Sequence, residues 1–428
     1  MSELVIRNAR LLLPEGIVTG EMSIENGKIK KISVSGVEKG EREIDAKNKL
    51  VIPGIIDTEA HILTRSKQKW KIFKEETAAA AAAGVTTVLI SPEPLQLTNV
   101  FEIKKALKFM KKFSLVDFCF QAGPITGASI SKMAEISVAG TKIFKIRTCE
   151  PEKLTNEEIL EVMKIAKTLD LILCAHAESE EVIKEKSDEE VRPPLAEEKA
   201  VEELLEKVRK TGATVHFGRI TTQKACLFLS KAEKEHLTVS GGTCVHYLVF
   251  SKEDSEKNPL LKMCPPLRSK EDVENLWKAI DIGAIDAVAS GHFFIKMEEV
   301  KNLEPARAPE GLPGIEALLP VMFELGVRNG RITIETMVKV LSTRPAQIFR
   351  LYPRKGVLRE GSDADLVILN PSHKKISAKK LIEPAGWTPY EEMELSGFSD
   401  ITISRGEIIY ENGEVCGKPG RGQFLTNF

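Results

Sequence analysis

The stretch Pro53–Leu63, PGIIDTEAHIL, decides how the rest of the chain is read. An apolar strand runs into the triplet Glu59-Ala60-His61. Alternate residues of a strand project to the same side, so Glu59 and His61 point together. A carboxylate and an imidazole presented side by side at a strand end can ligate a divalent cation. Metal hydrolases often carry His-x-His at such a place. Here the first position is a carboxylate.

Outward from this strand the pattern repeats. Apolar runs at 51–56, 86–91, 116–121, 141–146, 171–176, 214–220, 237–242 and 285–291 alternate with amphipathic segments such as NEEILEVMKIAKTL and EEKAVEELLEKVRKTG. Eight such units over roughly 250 residues match an α/β (β/α)8 TIM barrel. A doubly wound sheet is the competing arrangement. The first fifty residues instead alternate apolar and polar positions, with Asn26-Gly27 as a hairpin signal. The same character returns after Tyr352, with Asn412-Gly413. The expected organisation is a small composite β-sandwich domain formed from both termini (1–50 and 355–428) around a barrel over 51–354.

The 428 residues, 42% hydrophobic and 29% charged, fit a globular protein with a large core. A net charge of -1 favours neither nucleic acid nor an acidic membrane. No apolar run approaches a membrane span, and the N-terminus lacks the signal-peptide pattern. Seven scattered cysteines without a CxxC pair fit a reducing, cytoplasmic setting and small core residues.

Chemistry in such a barrel sits at the C-terminal ends of the strands. Those ends carry Glu59 and His61, then Lys145, then His176 and Glu178, then Arg219, His246 and His292. Each has a plainer reading. Lys145 can pair with a carboxylate, His216 and Cys264 can pack, and His236 and His373 lie in surface-like segments. Together, His61, Lys145 and His176 on three strands are harder to dismiss as metal or catalytic residues.

With LVIPGIIDTEAHIL, AAAGVTTVLISPE, CAHAES, GGTCVHYLVFS, KMCPPLRS, APEGLPGIEALLP and GVLREGSDADLVILNP, the chain resembles the dihydroorotase branch of the amidohydrolase superfamily along nearly its whole length. The resemblance implies the barrel, the small β domain, a homodimer and a pocket for a small-molecule substrate. It also implies two zinc ions held by His-x-His, a carboxylated lysine and two further histidines, with an Asp as general acid and base. Position by position, the second His, the lysine and the fifth-strand His are His61, Lys145 and His176. The first His falls at Glu59, the sixth-strand His at Arg219 and the Asp at Gly291. The substrate-clamp positions fall at Leu63, Glu93 and Ile295, and the residue before PPLR is Cys264; His292 follows Gly291. Arg65 is a partial substitute for the arginine missing at Leu63.

Arg219 has no lone pair to offer a metal, and Gly291 cannot move a proton. The expectation is a dihydroorotase-like protein without standard activity, structural or regulatory, beside a pyrimidine-pathway partner such as aspartate carbamoyltransferase, with one zinc or none. The alternative is an active hydrolase of another cyclic amide or C–N substrate. In it a reduced, mononuclear site uses Glu59, His61, His176 and Lys145, with Glu178, Glu93 or His292 as base.

Overall fold

The computed structural model describes residues 2–185, 192–300 and 309–426. The barrel strands are β1 (Ile55–Ala60), β2 (Val85–Ile90), β3 (Asp117–Phe120), β4 (Ile143–Arg147), β5 (Ile172–His176), β6 (Thr214–Phe217), β7 (Val239–Cys244) and β8 (Ala287–Ala289). Neighbours pair in parallel within a three-stranded sheet, β1 to β3, and a five-stranded sheet, β4 to β8. Parallel bridges Ala122↔Phe144 and His61↔Phe293 join the two sheets and close the ring. The strands are buried on both faces, which is why they read as continuous apolar runs.

The helices between them start and stop where local chemistry dictates. Asn99 caps Val100–Phe113 by accepting from the Glu102 N–H. Thr155 and Glu158 form a reciprocal capping box on Asn156–Thr168, whose Ile159, Val162, Met163 and Ala166 face the core. Each of the larger side chains contributes about 1.5–3 kcal/mol by that burial. The alanine-rich segment is the helix Lys69–Ala82, and Gly84 leaves it at φ +79° to enter β2.

Both termini build one nine-stranded sheet from Ser2–Leu13, Gly16–Glu25, Lys28–Ser33, Gly40–Asp45, Leu50–Pro53, Leu366–Asn370, Phe398–Ser404, Glu407–Glu411 and Glu414–Val415. It wraps as a sandwich around its own core, which includes Ile6, Leu11, Ile24, Val51, Leu366 and Ile403. Asn26 and Gly27, at φ 51° and 71°, make the first hairpin turn.

Two segments differ from the sequence reading. The apolar run at 51–56 is not one strand. Leu50–Pro53 pairs with Ser2–Leu13 and with Leu366–Asn370 in the terminal sheet, so the barrel starts at Ile55 rather than at 51. Gly54 makes the crossing, because a Cβ there would lie 2.2 Å from the Thr86 hydroxyl. Residues 371–397, expected in the small β domain, return to the barrel. Trp387 Nε1 donates to the Ile295 carbonyl at 2.9 Å, and the Tyr390 hydroxyl meets His246 Nδ1 at 2.8 Å.

Candidate functional site

Three strand ends, those of β1, β4 and β6, meet at Glu59. Its Oε1 accepts from Lys145 Nζ at 3.0 Å and lies 3.3 Å from Arg219 Nε. Arg219 follows β6 at φ +60°, a left-handed conformation that costs a side-chain-bearing residue about 1–2 kcal/mol. Its contacts offset that cost: Nη1 donates to the Cys264 carbonyl at 2.8 Å and Nη2 to His61 Nε2 at 2.7 Å. A guanidinium cannot accept, so the lone pair of His61 is on Nε2 and its proton on Nδ1. That proton faces Glu93 Oε2 at 3.6 Å, and Arg147 Nη1 lies 4.0 Å from the other Glu93 oxygen.

Burial alone would push the Glu59 carboxyl up. The charges of Arg219 and Lys145 overrule it and hold the group well below the usual carboxylate range. Glu93 is likewise held low against its burial, by Lys145 and His61. Burial pulls His61 below its ordinary value, and the neutral ring suits its role as acceptor from Arg219.

A second cluster begins at the end of β5. His176 Nε2 and Glu178 Oε2 are 3.0 Å apart. Cys264 Sγ lies 3.8 Å from the imidazole nitrogen and 3.7 Å from that carboxylate oxygen. Buried Cys149, just past β4, completes a compact set with His176 and Glu178. Arg192 Nη1 bonds Glu178 Oε2 at 2.5 Å and Cys149 Sγ at 3.7 Å. Burial pulls His176 down to about 4. It opposes the ionisation of Glu178, which its neighbours His176 and Arg192 still hold at about 2.

Other positions fall elsewhere. Leu63, expected in the substrate pocket, is buried and lines a groove of about 580 Å³ between helices Lys69–Ala82 and Val100–Phe113, with Arg65. His292, expected in the pocket as a possible base, is packed away from it. Its Nε2 is 2.8 Å from Glu76 Oε2, and its Nδ1 accepts from the Gly314 N–H at 3.1 Å. Ile295 is a core residue. Gly291, at φ +61°, is wedged against Cys244: a Cβ there would sit 2.6 Å from the thiol sulfur. His246 stacks on Tyr390, and His216 pairs with the Ser240 hydroxyl at 2.9 Å. Sequence reasoning passed over Cys149, Arg147 and Arg192. An isolated cysteine carries no spacing signal, and the arginines lie beyond the strand ends that the pattern marked.

The amidohydrolase family profile matches residues 50–408. A dihydroorotase of Methanosarcina acetivorans is 33% identical, with 99% of this chain and 96% of that protein aligned. An L-hydantoinase of Paenarthrobacter aurescens is 29% identical over 100% of this chain and 98% of that protein. The solved L-hydantoinase (dihydropyrimidinase) from Arthrobacter aurescens superposes with a TM-score of 0.93 at 28% identity, over the full length of both chains. With the closed barrel, the composite β domain and these full-length relatives in agreement, the chain belongs to the amidohydrolase family, in its dihydroorotase and hydantoinase branch.

Proposed function

We propose that this chain keeps the cyclic-amidohydrolase fold but has exchanged the family's two-metal centre for a fixed ion network. It does not open dihydroorotate by the family route and serves a structural or regulatory role. The single observation that carries this is the Arg219 guanidinium, 2.7 Å from His61 Nε2 and 3.3 Å from Glu59 Oε1. The Nε2 lone pair that a cation would need is already engaged. Lys145 Nζ lies 3.0 Å from Glu59 Oε1 and engages the carboxylate from a second side. Two divalent ions beside two fixed cations would be repelled. The residues present therefore do not fit a zinc pair.

Proton transfer is missing as well. No side chain replaces the family Asp at Gly291, and Cys244 fills the space where its Cβ would stand. The clamp positions Leu63 and Glu93 supply no cation for an anionic substrate, and Glu93 is held ionised. A structural role beside a pyrimidine-pathway enzyme, such as aspartate carbamoyltransferase, and a homodimeric state are part of this reading.

The test is turnover of dihydroorotate, hydantoin and dihydropyrimidines by protein purified with zinc and bicarbonate. The reading expects no hydrolysis above the metal-only background. Hydrolysis of dihydroorotate at the rate of an ordinary enzyme would overturn it. A second reading, a hydrolase of a different cyclic amide with one metal, is favoured by the buried Cys149–His176–Glu178 set. Turnover of a hydantoin alone would select it.

A further inference from the structure

Acidic and ligating side chains gather at several buried points in this molecule, and most of those points already hold a cation. Lys355 Nζ sits among Asp117, Asp363 and Asp365, 2.7 Å from Asp117 Oδ2 and 3.2 Å from Asp363 Oδ2. Lys145 and Arg219 do the same for Glu59. The Cys149–His176–Glu178 cluster differs. Its ligand atoms all lie within 4.8 Å of one another, all three side chains are buried, and the set mixes a thiol, an imidazole and a carboxylate. Those are the donors zinc takes.

Among the described residues Arg192 is the cation hydrogen-bonded to this cluster, while Arg147, Lys145 and Arg268 act on it through their charge. Arg192 touches Glu178 Oε2 and Cys149 Sγ from a side chain that keeps 18% of its surface exposed. The other carboxylate oxygen, Glu178 Oε1, is buried with no hydrogen-bond partner among the described residues. An unpartnered carboxylate oxygen in a buried site is costly unless something binds it. The spacing also suits a small cation. Zinc bonds of about 2.0–2.3 Å in a tetrahedron place ligand atoms roughly 3.3–3.8 Å apart. Cys264 to Glu178, at 3.7 Å, and Cys264 to His176, at 3.8 Å, fall in that range. His176 to Glu178, at 3.0 Å, is the shorter length of a hydrogen bond and must open slightly on binding.

We propose that Cys149, His176 and Glu178 bind a single zinc ion, with the Cys264 thiol as the fourth donor. Four protein donors make a closed, structural site rather than one with a position open to water. It would tie the chain after β4 and β5 to the Cys264 loop that also anchors Arg219. On binding, each thiol loses its proton to solvent and its sulfur forms a bond to the metal. Arg192 swings off Glu178 toward solvent. This inference rests on the preceding reading that Arg219 and Lys145 hold the Glu59 side of the mouth against metal.

The experiment loads the full-length protein with zinc, removes excess by dialysis and measures zinc per chain by elemental mass spectrometry. Cobalt substitution reports thiolate ligands through a charge-transfer band in the near ultraviolet. One zinc per chain with that band is expected. Cys149→Ser and Cys264→Ser should each weaken binding by at least about 100-fold, beyond the 10–100-fold usual for losing an outer partner. Cys149→His should retain zinc with an altered cobalt spectrum, which separates ligand loss from misfolding. Arg192→Met should tighten binding, and His61→Asn should leave it unchanged. Absence of zinc after loading would overturn the inference and leave the proposed function standing. Zinc retained by both serine variants but lost in His61→Asn would overturn both.

Discussion

Two buried ion clusters sit at opposite ends of the same barrel. At the N-terminal face, Lys355 joins Asp117, at the start of β3, to Asp363 and Asp365, and Arg405 adds a bond to Asp117 at 3.0 Å. At the C-terminal face, Glu59 holds Lys145 and Arg219. The first stitches the barrel to the β domain and stands where barrels are braced. The second stands where barrels do chemistry. On the proposed reading the mouth around Glu59 uses the same device as the brace, a carboxylate set against two cations. A mouth poised for metals would instead hold carboxylate and imidazole lone pairs open.

The largest effects should come from removing one charge from either cluster. Lys355→Met removes the buried cation that three carboxylates share, leaving Asp117 only Arg405 and Asp363 only Lys28 and Arg354. Glu59→Gln leaves two buried cations without their anion. Each should cost about 3–5 kcal/mol in urea unfolding, Lys355→Met at the upper end. The comparison breaks if Glu59→Gln is neutral, for then the mouth charges are not a brace. Arg219→Met added to Glu59→Gln should recover part of the loss, because the two sites are coupled.

Acid should act next. Burial pulls His176 and His216 down to about 4 and His246 to about 3, against an ordinary value of 6.5. The folded state then binds fewer protons than the unfolded one, so stability is full above pH 6.5. It falls as pH drops through the window from 6.5 to about 4. Each histidine contributes on the order of 3 kcal/mol over its window. Unfolding at pH 7 and pH 5 should differ by a visible part of this, and His216→Asn should flatten the slope. Burial also pushes Asp57 up to about 6 and Glu316 up to about 7, which favours the folded state as pH falls. The histidine share is therefore read from the variant: a slope unchanged in His216→Asn would contradict the neutral, buried assignment.

Restoring the family residues sharpens the comparison further. Gly291→Asp introduces a Cβ 2.6 Å from the Cys244 sulfur and 2.7 Å from its Cβ. It should destabilise by about 1–3 kcal/mol through overpacking. Glu59→His, Arg219→His and Gly291→Asp together should bind metal at the mouth only when Cys244→Gly makes room. Uptake of two metals by the triple variant alone would show the mouth more yielding than described. The smallest effect belongs to Arg65→Ala. That side chain is exposed, so its loss should change stability by less than about 0.5 kcal/mol.

Much of this was legible in the sequence, for physical reasons. Parallel strands covered by helices leave unbroken apolar runs, and Asn26-Gly27 writes its own turn. The break at Gly54 was hidden, because VIPGII reads as one apolar run whether it makes one strand or two in different sheets. The return of 371–397 to the barrel was hidden too, since Trp387 and Tyr390 have no periodic neighbours to show which surface they cover. At the mouth, strand-end position brought forward Glu59, His61, Lys145, His176 and Arg219. Their directions were not legible, nor was the outward turn of Leu63 or the packing of His292 on Glu76. Cys149 lay beyond reach because its partners, His176 and Glu178, are adjacent only in space.

The measurement that bears most directly on the mouth is anomalous diffraction at the zinc edge, from crystals grown with zinc and bicarbonate. The account predicts no ion between Glu59 and His61, an unmodified Lys145 amine against Glu59, and Arg219 in place beside His61. Two ions bridged by a carboxylated Lys145, with Arg219 turned out of the barrel, would contradict it.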